Sequence, residues 1–214
     1  MYISRVVIDY ENRRKTRDLM HLGAYHNWVE HSFSEEISQG VRSRKLWRID
    51  RLDGEFVLLI ISEVKPDISK LERYGVPGTG MTKDYTMFLN SIEQGMKARF
   101  KITLNPVVSM PTEGARRGRV VPLVNIEDQM KFLKDRSVKH GFYVDDNDFQ
   151  ITERSFEPLK KNNGRDLRIS RVTYEGNLIV QDIDKFRDLL INGMGQKKAY
   201  GFGLMTIIPV KEDV

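Results

Sequence analysis

Asp53-Gly54 stands between two apolar runs, Lys45-Leu46-Trp47-Arg48-Ile49 and Phe56-Val57-Leu58-Leu59-Ile60-Ile61. A two-residue Asp-Gly connection favours the tight turn whose twist matches a β-hairpin. The two runs are therefore expected side by side as antiparallel strands, and the rest of the chain has to fit a sheet. Residues 2–9 alternate and are rich in β-branched side chains, as in a strand. Thr16 then stands where an N-cap is expected, and Leu19, Leu22, His26, Val29 and Phe33 recur at spacings of three and four, one face of a helix. A short helix over 67–74 follows. Residues 75–82, with three glycines and a proline, read as a loop. The first part thus reads β-α-β-β-α.

A strand over 99–104, closed by Asn105-Pro106, opens the second part. A helix is predicted over 126–138, a strand pair over 149–161 and 167–182, a helix over 184–191 and a last strand over 204–210. This order, β-α-β-β-α-β, repeats the β-α-β-β-α of the first part and adds a last strand. The expected fold is α+β, with tandem ferredoxin-like (RRM-like) β-α-β-β-α-β domains over 1–92 and 93–214. The halves share element order and no evident sequence identity. At 40% hydrophobic, the 214 residues can bury a core. The absence of cysteine excludes disulfides and cysteine-ligated metals. No apolar run approaches the roughly 18 residues of a membrane helix, and the first residues lack the layout of a signal peptide. A cytoplasmic protein without a membrane partner is expected.

Base exceeds acid, 35 residues against 30. The excess is small, so its placement matters more than its total. It concentrates in Arg116-Arg117-Gly118-Arg119; in 154–171, which holds Arg154, Lys160, Lys161, Arg165, Arg168 and Arg171; and in Lys197-Lys198. Each alone is an ordinary solvated segment. Together, all in the second half, they point to nucleic acid. Lys197 and Lys198 lie in Gly193-Met194-Gly195-Gln196-Lys197-Lys198-Ala199-Tyr200-Gly201-Phe202-Gly203, where four glycines allow the backbone to approach a ligand closely. This loop follows a helix and enters a strand, the reverse of a P-loop. A ferredoxin-like sheet is also the architecture of common RNA-binding modules. No aromatic RNP1 consensus is present, so structured RNA read by shape and phosphates is the expected partner.

His26 lies on the apolar stripe of the first helix, between Leu22 and Val29. It is either a half-buried core histidine bonded to a backbone carbonyl or a general acid/base tuned by its surroundings. His21 and His31 point about 140° away on a helical wheel, which argues against a histidine metal cluster. Tyr25 is either a hydrogen-bonding helper or an ordinary surface or interface aromatic. RNA supplies its own nucleophile, the 2′-hydroxyl. A ribonuclease can then act with one proton acceptor, one proton donor and cations for the phosphorane charge, and needs no metal or cofactor.

The ordered set Met1-Tyr2-Ile3-Ser4-Arg5-Val6, Thr16-Arg17-Asp18-Leu19, Tyr25-His26, Leu46-Trp47-Arg48, Phe100-Lys101-Ile102-Thr103-Leu104-Asn105-Pro106, Gly118-Arg119-Val120-Val121-Pro122-Leu123, Val172-Thr173-Tyr174-Glu175-Gly176 and the 193–203 loop resembles the CRISPR-associated repeat-RNA endoribonuclease of the type I-E Cascade complex, the CasE-type family. The resemblance covers nearly the whole chain. It implies a tandem ferredoxin-like, metal-independent nuclease that binds the CRISPR repeat RNA hairpin, cuts at its 3′ base and stays with its product beside other Cascade subunits. The family's catalytic histidine corresponds to His26. The tyrosine that assists it in some members falls at Gly23 here, with Tyr25 the nearest. The family's groove-entering basic hairpin corresponds to Lys160, Lys161 and Arg165, and its glycine-rich loop to 193–203. The expected site is therefore His26 and Tyr25, with Arg116, Arg117, Arg119, Lys160, Lys161, Arg165, Arg168, Lys197 and Lys198 on the RNA. The alternative is a non-catalytic RNA-binding subunit.

Overall fold

The computed structural model describes residues 1–111, 114, 118–159 and 167–210. The N-terminal part runs β1 (Tyr2–Val7), α1 (Arg13–Thr16), α2 (Leu22–His31), α3 (Ser34–Gln39), β2 (Lys45–Leu52), β3 (Glu55–Ser62), α4 (Ile68–Leu71), β4 (Met81–Asp84) and α5 (Thr86–Asn90). There follow β5 (Lys97–Leu104), β6 (Val107–Met110), β7 (Arg119–Pro122), α6 (Ile126–Ser137), β8 (Phe142–Tyr143), β9 (Phe149–Leu159), β10 (Leu167–Val180), α7 (Ile183–Asn192) and β11 (Met205–Pro209). The first sheet has the order β2-β3-β1-β4. In the second, β11-β5-β10 continues into β9 and β8, which share the far edge of β10. All these pairs are antiparallel. Each sheet places its first and third strands centrally and its fourth outside the first, the ferredoxin-like order, so the fold is α+β with that unit in tandem. β6 and β7 form a separate two-stranded ribbon.

The Asp53-Gly54 turn is present, with positive φ at both residues (51° and 87°). It pairs β2 with β3 from Lys45↔Ser62 to Leu52↔Glu55. Thr16 is not the N-cap of the long helix. Asn12 caps the short α1, its side chain accepting from the Lys15 N–H, and α1 ends at Thr16. The long helix begins only at Leu22. Leu19 is buried from within the connection, so its apolar character reports the core and not a helical turn. The expected loop over 75–82 ends in a strand: β4 pairs with β1 from Tyr2↔Asp84 to Arg5↔Met81. Being short, polar and at a sheet edge, it lacks the alternation that reveals a strand.

The two halves share their cores. Leu46 and Ile61 of the first sheet pack in one cluster with Phe100, Ile102, Leu104, Leu189 and Met205. Leu159, Ile169 and Phe202 of the second half pack with Trp28, Val29, Trp47 and Ile60. The alternation of β2 sends Leu46 to one face and Trp47 to the other. The next residue, Arg48, is 1% exposed. Its Nε and Nη2 donate to the two Asp50 carboxylate oxygens, at 2.8 and 2.7 Å. Nη1 donates to the Lys101 and Leu204 carbonyls, both at 2.8 Å, and Nη2 also to Thr206 Oγ1 at 2.7 Å. Arg48→Ala strands Asp50 and two carbonyls in the interior and is expected to lower the unfolding free energy by about 3–5 kcal/mol. Urea denaturation measures this, and the double variant Arg48→Met/Asp50→Leu should recover most of the loss.

Candidate active site

α2 presents Leu22, Tyr25, Trp28 and Val29 to the first sheet. Its place is fixed by Trp28, whose Nε1–H donates to the Leu71 carbonyl at 3.0 Å. The core position expected for His26 belongs to Tyr25. The tyrosine ring stacks on Trp47, with centroids 5.9 Å apart, and its hydroxyl pairs with that of Tyr10 at 2.5 Å. Burial, then the Tyr10 bond, pushes the Tyr25 hydroxyl pKa above the usual phenol value. A helix turns 100° per residue, so His26 falls at the margin of the apolar face, its side chain 21% exposed. The tyrosine in contact with the imidazole is Tyr200, with ring centroids 5.4 Å apart.

Tyr200 arrives on the glycine-rich loop. Gly193, Gly195, Gly201 and Gly203 all have positive φ, between 68° and 86°. The close approach they permit is mainly to the protein itself. A Cβ on Gly201 would lie 2.6 Å from Trp47 Cζ3, and one on Gly203 2.4 Å from the Met194 carbonyl. Trp47 also donates its Nε1–H to the Ala199 carbonyl at 3.0 Å. The loop is thus seated on β2 and holds Tyr200 over His26. Lys198 turns inward and donates to the Asn192 carbonyl at 2.9 Å. Burial, then Arg44, holds its pKa below the ordinary lysine value. Lys197, with φ 62°, accepts the Tyr200 N–H at its carbonyl, at 2.8 Å, while its side chain has no hydrogen bond or ion pair among the described residues.

A cluster of charges completes the surroundings of His26. Arg42 Nη2 lies 3.0 Å from His26 Nε2, and Arg42 Nε donates to Glu30 Oε2 at 3.0 Å. Glu30 Oε1 is 3.8 Å from His26 Nδ1. Lys45, 2% exposed at its side chain, pairs with Glu36, donates to the Ser43 carbonyl and lies 3.7 Å from Glu30. The His26 pKa is lowered below the usual histidine value, first by burial. Glu30 and the Ala199 backbone act to raise it, Arg42 and Lys45 to lower it. Sequence reasoning assigned the base to the second half and passed over Arg42-Ser43-Arg44-Lys45, a basic tetrad running into β2 that was visible as such.

Of the expected RNA contacts, Arg119 on β7 and Arg168 on β10 are exposed. The Arg168 guanidinium lies 5.8 Å from the Phe156 ring centroid. Arg116, Arg117, Lys160, Lys161 and Arg165 lie outside the described residues. The last described pair of the β9–β10 ribbon, Leu159 opposite Leu167, reaches α2 through the buried Leu159. The helix bearing His26, the glycine-rich loop and one end of the long ribbon therefore meet.

A family profile described as "CRISPR associated protein" matches residues 1–209. The chain belongs to the CRISPR-associated protein family. Within that family it is 26% identical over 220 residues to the CRISPR-associated endoribonuclease Cse3 of Thermus thermophilus, covering 98% of this chain and all of that relative. It is also 26% identical over 126 residues to the Cascade subunit CasE of Escherichia coli, covering 56% of this chain and 61% of that one. The structure of Thermus thermophilus Cse3 bound to an RNA representing a pre-cleavage complex superposes with a TM-score of 0.78 at 26% identity, over 97% of this chain and 98% of the other. No helix among the described residues is long and apolar enough to cross a membrane.

In this family member the seating of the loop is open to a direct test. Gly201→Ala combines a disfavoured φ with a clash on Trp47, and should cost more than about 1 kcal/mol in a thermal or urea melt. It should also shift the NMR resonances of the His26 ring, because Tyr200 moves with the loop.

Proposed function

We propose that this chain is a metal-independent endoribonuclease of CRISPR precursor RNA. It binds the stem-loop of the repeat, cleaves at the 3′ base of the hairpin and stays with the mature guide RNA as a subunit of Cascade, in the cytoplasm. The observation that carries this reading is His26, a partly buried imidazole among cations beneath a glycine-rich loop, in a chain that aligns end to end with an endoribonuclease. In the reaction the 2′-oxygen bonds to the adjacent phosphorus and the bond from phosphorus to the 5′-oxygen breaks. The 2′-hydroxyl proton needs an acceptor and the leaving oxygen a donor. His26 is assigned this proton transfer. Arg42, Arg44 and Lys197 are assigned the phosphorane charge. Tyr200, which touches the imidazole, is better supported as its aromatic partner than Tyr25, whose hydroxyl is engaged with Tyr10.

Arg116, Arg117, Arg119, Lys160, Lys161, Arg165 and Arg168 are assigned to the flanks of the RNA hairpin, which such residues read through phosphates and shape. Lys198 contributes charge to this surface while its ammonium holds the Asn192 carbonyl. We further assign residues 1–92 and 93–214 as the two domains, the first carrying the histidine and the second most of the RNA contacts.

The test is purified protein with a labelled hairpin from its own repeat array. Discrete cleavage that EDTA leaves unchanged supports the enzyme; a gel shift without product sinks it in favour of a binding subunit. His26→Ala is expected to slow single-turnover cleavage at least about 100-fold while hairpin affinity stays within a few-fold. Tyr25→Phe should cost about 1 kcal/mol of stability and leave the cleavage rate within a few-fold of wild type.

A further inference from the structure

Arg42 occupies the point on His26 that a substrate proton has to reach. A guanidinium carries only donors, so His26 Nε2 accepts from Arg42 Nη2 and the imidazole is neutral, with its proton on Nδ1. Nδ1 faces Glu30 Oε1. An imidazole whose Nε2 lone pair is already filled cannot take a proton from a 2′-hydroxyl. The groups around the ring differ in exposure and in how they are held. Lys45, on β2, is buried and tied to Glu36 and the Ser43 carbonyl. Ala199 and Tyr200 belong to the loop seated on Trp47. Glu30, on α2, is held between Lys45 and Arg42. Arg42 alone stands on the exposed segment before β2, its side chain 63% exposed.

We propose that Arg42 is a substrate-displaced cap on His26: it closes Nε2 in the free protein, then moves to an RNA phosphate beside the scissile bond, leaving Nε2 open and Glu30 as the partner of Nδ1–H. The proposal deepens the endoribonuclease reading and rests on it. The exchange is favourable on chemical grounds. An exposed guanidinium gains little from a neutral imidazole and a carboxylate already paired with Lys45, whereas a phosphate accepts two parallel N–H bonds from it. Departure of Arg42 also removes a positive charge from the imidazole and frees the Glu30 carboxylate to stabilise an imidazolium. RNA binding therefore raises the proton affinity of His26 at the step where it must accept a proton. An idle protein becomes competent for the transfer only with a polyanion in place.

NMR of histidine-labelled protein tests this, with and without the repeat hairpin carrying a 2′-deoxy nucleotide immediately 5′ of the cut. In the free wild type His26 should show the Nδ1–H tautomer, and the hairpin should raise its titration midpoint by about one unit, a tenfold gain in proton affinity. In Arg42→Ala the free protein should already titrate at the raised midpoint, and the hairpin should move it less. The same variant should bind the hairpin more weakly, with the slope of log affinity against log salt reduced by about one. Its melting transition should match wild type, because Arg42 is exposed. A midpoint unmoved by RNA in the wild type, or unmoved by the substitution in the free protein, overturns the proposal. Failure of the wild type to cleave the all-ribose hairpin removes the endoribonuclease reading instead, and the free-protein comparison still decides whether Arg42 caps His26.

Discussion

Arg48 sets the relation between the two halves. Its five N–H donors meet five acceptors: both Asp50 oxygens, the Lys101 and Leu204 carbonyls and the Thr206 hydroxyl. Removing a guanidinium from water costs several kcal/mol unless each donor is matched. Here two of the acceptors are backbone carbonyls on or beside β5 and β11, so the match exists at one placement of the first sheet against the second. Lys101 extends the network to the surface, 3.7 Å from Asp50 and 3.0 Å from Glu175. Such a network stabilises less than an equal volume of apolar packing, but it tolerates far less sliding. Apolar contacts alone, such as Leu46 among the second-half side chains, permit many nearly equivalent registers.

What Arg48 fixes, Trp47 transmits. The two residues leave β2 on opposite faces, and Trp47 carries the glycine-rich loop through its ring and through the Ala199 bond. The same ring stacks on Tyr25 of the helix that holds His26. The loop from the second half and the helix from the first are thus registered against one indole. The glycines of 193–203 answer first to this packing. Gly201 and Gly203 lack room for a Cβ against protein atoms, while a Cβ on Gly195 would meet only Leu104 at 3.6 Å. A glycine-rich basic stretch reads as a ligand cradle in sequence, and in the fold it is a hinge of backbone pressed into a seam. Its contribution to the surroundings of His26 is Tyr200.

Much of the scaffold was legible in the sequence because its signals are local. The Asp53-Gly54 turn, the alternation of β1 and the apolar face of α7 each follow from a few neighbouring residues, and the repeated element order follows from them. β4 was not legible, because a four-residue polar edge strand is defined by its partner β1 and not by its own pattern. The start of α2 was misplaced because Leu19 keeps helical spacing while lying in a connection that the core buries. For the site, position in sequence singled out His26 but not its surroundings. Tyr200 is 174 residues away, and its contact depends on the packing of two domains' worth of chain. Arg42 and Glu30 are near in sequence. They went unread because a charge on a loop and a charge on a helix face are individually ordinary, and only the turn between α3 and β2 brings them together.

The margin of the helix suits the proton transfer proposed for His26. At the centre of the stripe, where Tyr25 sits, an imidazole would be dry and beyond the reach of a phosphate. On the outer face, where Asn27 is exposed, it would be fully solvated and held by nothing from the second half. At the margin, buried groups fix its orientation from two sides. Lys45 anchors Glu30 below it, and the Trp47-seated loop holds Tyr200 against its ring. The solvent side of the ring carries Arg42, whose side chain is 63% exposed. Fixed orientation comes from buried residues, and the exposed contact from Arg42. The two are joined within seven residues, because Arg42 precedes by only a few positions the buried Lys45, Trp47 and Arg48 on which the whole arrangement is built.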